Sequence, residues 1–98
     1  MLAPTPPERL TDSSSHPYFL WDTEMTMDDF RRELASTDPE IRAYHLARLM
    51  RQAKPDDVFT FVRLREIREA WPRLERYLGS SRGFWRWLLD RWEALGVG

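Results

Sequence analysis

Apolar residues are sparse over the first sixteen positions, where Pro4, Pro6, Pro7 and the run Ser13-Ser14-Ser15 dominate. A segment with so little to bury cannot offset the entropy of ordering it, so residues 1–16 are expected to form a flexible tail. The pattern changes at Pro17-Tyr18-Phe19-Leu20-Trp21-Asp22, where four bulky apolar residues stand together in a stretch too short for an amphipathic helix. That reads as an extended arm docking onto something. From Thr26 the spacing turns helical. Thr26 and Asp29 make a capping box, which starts a first helix running from about Met27 to Ser36, with Met27, Phe30 and Leu34 inward. Thr37-Asp38-Pro39-Glu40 supplies a capping residue, a proline at the first helical position and an acid in the first turn. This second helix should reach about Ala53, with Leu46, Leu49, Met50 and Ala53 on its core face and Tyr44, Arg48 and Arg51 opposite. Pro55-Asp56-Asp57 opens a short helix carrying Val58, Phe59 and Val62. Leu64, Ile67 and Trp71 mark another, which Pro72 should interrupt before a short continuation through Leu74, Tyr77 and Leu78. Gly79 is a natural C-cap, and Ser80 or Ser81 caps a last helix from about Arg82 to Leu95. No β-hairpin pattern occurs. The segment Asp38–Met50 has the flavour of one α-solenoid repeat, but no second copy recurs at a fixed period. The expected architecture is all-α: a small irregular bundle of four to six helices with an extended N-terminal arm, forming one domain over 17–98.

The last helix carries more apolar residues than one core face needs. Phe84, Trp85, Trp87, Leu88, Leu89, Trp92 and Leu95 cover an arc of roughly 200°, about twice the usual stripe. One explanation is a central position in the bundle. The other gives Phe84, Leu88 and Leu95 to the core and leaves Trp85 or Trp87, beside Arg86 and Arg91, as a partner surface, since tryptophan and arginine are enriched at binding hot spots.

Composition narrows the classes. Hydrophobic residues make up 42% and charged ones 32% of 98 residues, the balance of a folded domain. No run approaches the ~20 apolar residues of a membrane span, and the N-terminus lacks a secretory pattern, so no membrane association and a cytoplasmic location are expected. Cysteine is absent, which removes disulfides, thiolate catalysis and thiolate metal sites. Net charge is −1, yet residues 1–40 hold nine acids and three bases while residues 41–98 hold seven and twelve. Such asymmetry serves nothing specific in the first reading, and internal attraction or a charged partner in the others. Arginine outnumbers lysine fourteen to one, which fits either a GC-rich bacterial genome or selection for guanidinium groups.

Candidate chemistry is thin. Asp28-Asp29 and Asp56-Asp57 sit in first turns, where the helix dipole accounts for them. Glu66 and Glu69 lie near Arg65 and Arg68 as solvated ion pairs. His16 and His45 are too isolated for a triad or a zinc site. Nucleotide-binding glycine motifs and the nucleophile-elbow motif are missing, and the glycines flanking Ser80-Ser81-Arg82 are better explained by capping. The expectation is therefore no catalytic, cofactor-binding or metal-ligating residues. The Gly79-Ser80-Ser81 turn between two helices also admits a helix-turn-helix reading. Phe84, Trp85 and Trp87 would then meet base edges without the usual donors and acceptors, while Arg82 and Arg86 grip phosphates. A DNA-binding regulator, acting on other genes or on its own, is thus the second reading; an enzyme subunit completed by a partner is the third.

The order Phe19-Leu20-Trp21-Asp22, then Arg48-Leu49-Met50-Arg51, then Phe84-Trp85 in a closing helix resembles small bacterial proteins encoded beside nucleotidyltransferase toxins, in toxin–antitoxin systems of the abortive-infection type. The resemblance covers about residues 18–92. It implies an antitoxin that binds its toxin and blocks access of nucleotide or RNA, the acidic N-terminal half occupying a basic cleft. Candidate contacts are Tyr18, Phe19, Trp21 and Asp22 of the arm, with Arg48, Arg51, Trp85 and Arg86. The alternative for the arm is that Phe19 and Trp21 cover the protein's own core. On the partner reading, Trp85→Ala or Trp21→Ala weakens binding more than it weakens the fold.

Overall fold

Local signals start and stop most of the helices where the sequence places them. In the computed structural model, which describes residues 4–12 and 14–96, α1 spans Pro7–Leu10, α2 Met27–Leu34, α3 Pro39–Gln52, α4 Pro55–Phe61, α5 Leu64–Leu74 and α6 Arg82–Ala94. Short 3₁₀ turns occupy Tyr18–Leu20, Glu75–Tyr77 and Gly79–Ser81. The fold is all-α, with no strand among the described residues. Thr26 and Asp29 close the capping box on α2, Asp38 caps α3 ahead of Pro39, and Gly79 takes the left-handed conformation, φ 56°, that a side chain disfavours.

α3 is the hub. Ala43, Leu46, Ala47, Leu49 and Met50 are buried along it, with α2 and α5 packed against it. Beside it, Phe19, Phe30 and Phe61 meet edge-to-face with centroids 5.2–5.6 Å apart, the geometry that aromatic quadrupoles favour.

The end of α3 ties three parts of the chain together. Ala53 already turns extended, with ψ 162°, and Lys54, where the following proline disfavours helical backbone, is extended as well. The carbonyl of Met50 and the amide of Lys54 would be paired in a continuing helix. Instead, the Met50 carbonyl accepts from Trp85 Nε1 of α6 at 2.9 Å. The Lys54 amide donates to the Tyr18 hydroxyl at 3.0 Å. A helix terminus with orphan polar groups is thereby satisfied by residues distant in sequence.

The N-terminal segment contacts the domain at particular points while most of its described residues are exposed: Leu10 is buried, Thr11 pairs with Pro17 in an isolated bridge, and the Met27 amide donates to the Ser15 carbonyl at 2.8 Å. Asp57, fully buried in the first turn of α4, accepts from the Thr5 amide at 2.5 Å, from the Thr5 hydroxyl at 2.6 Å, and from Tyr18. Thr5 and Leu10 thus supply anchors that composition did not reveal; residues 1–3 and 13 lie outside the described residues. The arm is not extended. Residues Tyr18–Leu20 form a 3₁₀ turn that inserts Phe19 and Leu20 into the core.

Two further expectations are corrected. α5 continues through Pro72 to Leu74, because Ile67 and Leu74, seven residues apart on one face, are both fully buried. In α6 the core face is rotated from the expected one: Trp85 (1% exposed) and Leu89 face the core, with Trp85 and Trp92 against Phe59, Leu88 packs against the core as expected, and Phe84 and Leu95 are exposed. The Trp85 N–H needs an acceptor when buried, and the Met50 carbonyl fixes the rotation of the helix.

Trp85→Ala should therefore cost about 3–5 kcal/mol in urea unfolding, whereas Trp87→Ala should stay within about 0.5 kcal/mol. Asp57 adds an acid dependence. Burial alone raises its carboxyl pKa, but the hydrogen bonds from Thr5 and Tyr18 outweigh that and hold it below the usual value of 3.8. Its contribution is complete above about pH 4 and is lost as pH falls through the folded-state value. Unfolding midpoints measured from pH 6 to pH 2 should fall more steeply for the native chain than for Asp57→Asn.

Candidate protein interface

Besides Tyr44 on α3, two exposed aromatic features stand on the fold among the described residues. The first is Trp21, 77% exposed, held between two fixed neighbours. Leu20 before it is buried. Asp22 after it accepts from Arg48 Nη2 of α3 at 2.9 Å. Arg48 is itself largely buried and donates from Nε to Gln52 Oε1 at 3.2 Å. Partial desolvation raises the Asp22 carboxyl pKa, and the hydrogen bonds of Arg48 and Gln52 more than reverse this, leaving it low. The Thr23 amide closes the turn onto the Leu20 carbonyl at 3.1 Å. The indole is therefore displayed from an organised turn, which limits the entropy lost when it is covered.

The second feature is the outer face of α6. At about 100° per residue, Trp85, Leu89 and Trp92 share one arc, and Phe84, Trp87, Arg91 and Leu95 share another about 120° away. Phe84 and Trp87 are 45% and 55% exposed, with ring centroids 6.3 Å apart. The Arg91 guanidinium lies 5.8 Å from the Trp87 centroid, within cation–π range. Leu95 extends the stripe.

The residues expected at an interface separate under this geometry. Trp21, Asp22 and Arg48 come together. Arg51 is exposed and donates from Nη1 to the Tyr77 carbonyl at 3.0 Å. Arg86 is exposed and pairs with Asp90 at 3.4 Å. Tyr18 is half-buried, its hydroxyl committed to Asp57 and Lys54. Phe19 and Trp85 are core residues, so neither offers a surface. Phe84 and Leu95 were assigned inward because a helical wheel orders residues without fixing its rotation; the excess width of the apolar arc was the available signal.

Elsewhere, His45 is largely buried with Nδ1 unpaired. Burial pushes its pKa down, Glu33 at 3.9 Å opposes this, and Arg48 adds to the depression. Among the described residues no group of three or more histidine, aspartate or glutamate side chains is placed to hold a metal. No helix among them is long and apolar enough to cross a membrane.

Compared with protein-family models, with curated proteins and with solved structures, the chain matches none.

Removing the Arg48 partner should loosen the Trp21 turn. In Asp22→Asn, hydrogen exchange at the Thr23 amide is expected to accelerate while the amides of α2 keep their protection; equal exchange in both chains would show that the ion pair does not organise the turn.

Proposed function

We propose that the chain is a non-enzymatic protein-binding module, and specifically an antitoxin that binds and neutralises a nucleotidyltransferase toxin. Protein binding is carried by one observation: α6 exposes an apolar stripe of Phe84, Trp87 and Leu95 with Arg91 among them, after its other arc has filled the core. Aromatic and arginine side chains in such a setting are the usual anchors of protein interfaces. Trp21 supplies a second anchor. The toxin comes from the resemblance carried by the Phe19–Asp22, Arg48–Arg51 and Phe84-Trp85 motifs. On this reading the contact set becomes Trp21, Phe84, Trp87 and Arg91, with Arg51 and Arg86 at its edge.

Protein binding is favoured over DNA binding because arginines suited to phosphates are engaged with carboxylates. Arg82 is bonded to Glu75, Arg86 to Asp90 and Arg76 to Glu40. The exposed side of α6, which would enter a groove, sets the aromatic rings of Phe84 and Trp87 among its charged residues.

The test is co-expression of the tagged chain with a nucleotidyltransferase encoded beside its gene. A stoichiometric complex and rescue of growth are expected. Trp21→Ala and Trp87→Ser should each weaken the complex about tenfold with the unfolding midpoint unchanged. Absence of such a neighbouring gene, or of a complex, removes the toxin as partner; variants that bind like the native chain remove the assigned surface.

A further inference from the structure

We propose that the cleft beside Trp21 receives an arginine or lysine side chain presented by the protein partner, an inference that rests on the protein-binding reading above and names the chemistry of one contact. The cleft, of about 380 Å³, lies between the N-terminal segment and the turn that follows the 3₁₀ turn. Arg9 and Asp12 line one side, Tyr18, Trp21 and Glu24 the other, and His16 joins them.

Both walls are held in place without any ligand. The Asp12 carboxylate accepts from the amides of Ser14 at 2.8 Å and His16 at 3.0 Å, and these bonds keep its pKa low, so it stays charged. His16 Nε2 donates to the Glu24 carbonyl oxygen at 3.1 Å, tying one wall to the other. The Trp21 turn is closed by its own backbone bond and by the Asp22–Arg48 pair.

Charge selects the occupant. Two carboxylates, Asp12 and Glu24, face one guanidinium, Arg9, and the imidazole of His16, whose Nδ1 lies 3.6 Å from Asp12, within residues 1–40, which carry nine acids and three bases. An anion is repelled on balance, and a purely apolar side chain would strip water from both carboxylates with no return. A guanidinium or ammonium group meets the indole face of Trp21 through cation–π attraction and the carboxylates through charge-assisted hydrogen bonds. Arg9, with the His16 ring 3.6 Å from the Asp12 carboxylate when it is protonated, works against this occupant, which gives the proposal a signature that mere hydrophobic contact with Trp21 lacks.

The experiment is a titration of the full chain with a hexa-arginine peptide and separately with a hexa-glutamate peptide, followed by proton–nitrogen NMR. Hexa-arginine should shift the Trp21 indole resonance and the amides between Asp12 and Glu24 in a saturable way, and hexa-glutamate should not. Trp21→Ala and Glu24→Gln should each weaken binding about fivefold, whereas Arg9→Ser should strengthen it. Shifts scattered over the acidic surface and indifferent to Trp21→Ala would overturn the proposal, as would equal binding of the two peptides or weaker binding by Arg9→Ser. If the toxin complex depends on Trp21 while hexa-arginine leaves its indole unmoved, the cation is wrong and the interface stands. If hexa-arginine binds as described and no partner complex forms, the toxin reading fails and the cation site stands.

Discussion

α3 gives way to extended backbone at Ala53 and Lys54, just ahead of Pro55, and much of the tertiary structure follows from the polar groups this leaves over. The Met50 carbonyl has no helical donor and takes the indole N–H of Trp85; the Lys54 amide takes the Tyr18 hydroxyl. Tyr18 in turn bonds Asp57, which also holds Thr5. The last helix, the 3₁₀ turn and the N-terminal segment thus gather around the polar groups left at the end of the hub helix. The Trp85–Met50 bond is buried, and leaving its groups unpaired costs about 1–3 kcal/mol each, enough in a domain of this size to select one packing over another. The phase of α6 is the consequence with functional weight, because directing Trp85 inward turns Phe84, Trp87, Arg91 and Leu95 outward.

The charge asymmetry of the sequence acquires a physical use in the same frame. Asp22 pairs with Arg48, Glu40 with Arg73 and Arg76, and Glu33 approaches His45, so acids of the first forty residues meet bases of the remainder. Pairs exposed to water contribute little stability. Their value lies in orientation: the Asp22–Arg48 pair fixes the turn that displays Trp21, and Glu40 bridges the start of α3 to the turns that precede α6. Around Trp21 the carboxylates of Asp12 and Glu24 are outside these cross-chain pairs, which leaves that corner acidic.

What the sequence made legible was local. Thr26, Asp38-Pro39, Pro55 and Gly79 act on backbone within a turn of themselves, so helix boundaries and the all-α class followed from them. What it hid depends on partners far along the chain. Thr5 gains its role from Asp57, 52 positions away, and Trp85 from Met50, 35 positions away. The run of α5 through Pro72 depends on the burial of Leu74, which outweighs a local preference to stop. For the interface the sequence supplied the residue types and the surplus apolar arc on α6. It could not supply the rotation that decides which tryptophan is covered, so Trp21 remained in the contact set while Trp85 gave way to Phe84 and Trp87.

Hydrogen exchange of the individual indole N–H groups, resolved by NMR on the free chain, tests this account most directly. Trp85 should exchange only through substantial opening of the domain, whereas Trp21 and Trp87 should exchange at rates close to those of an unfolded chain. Rapid exchange at Trp85 together with protection at Trp87 would contradict the assigned rotation of α6, and the interface built on it would fall.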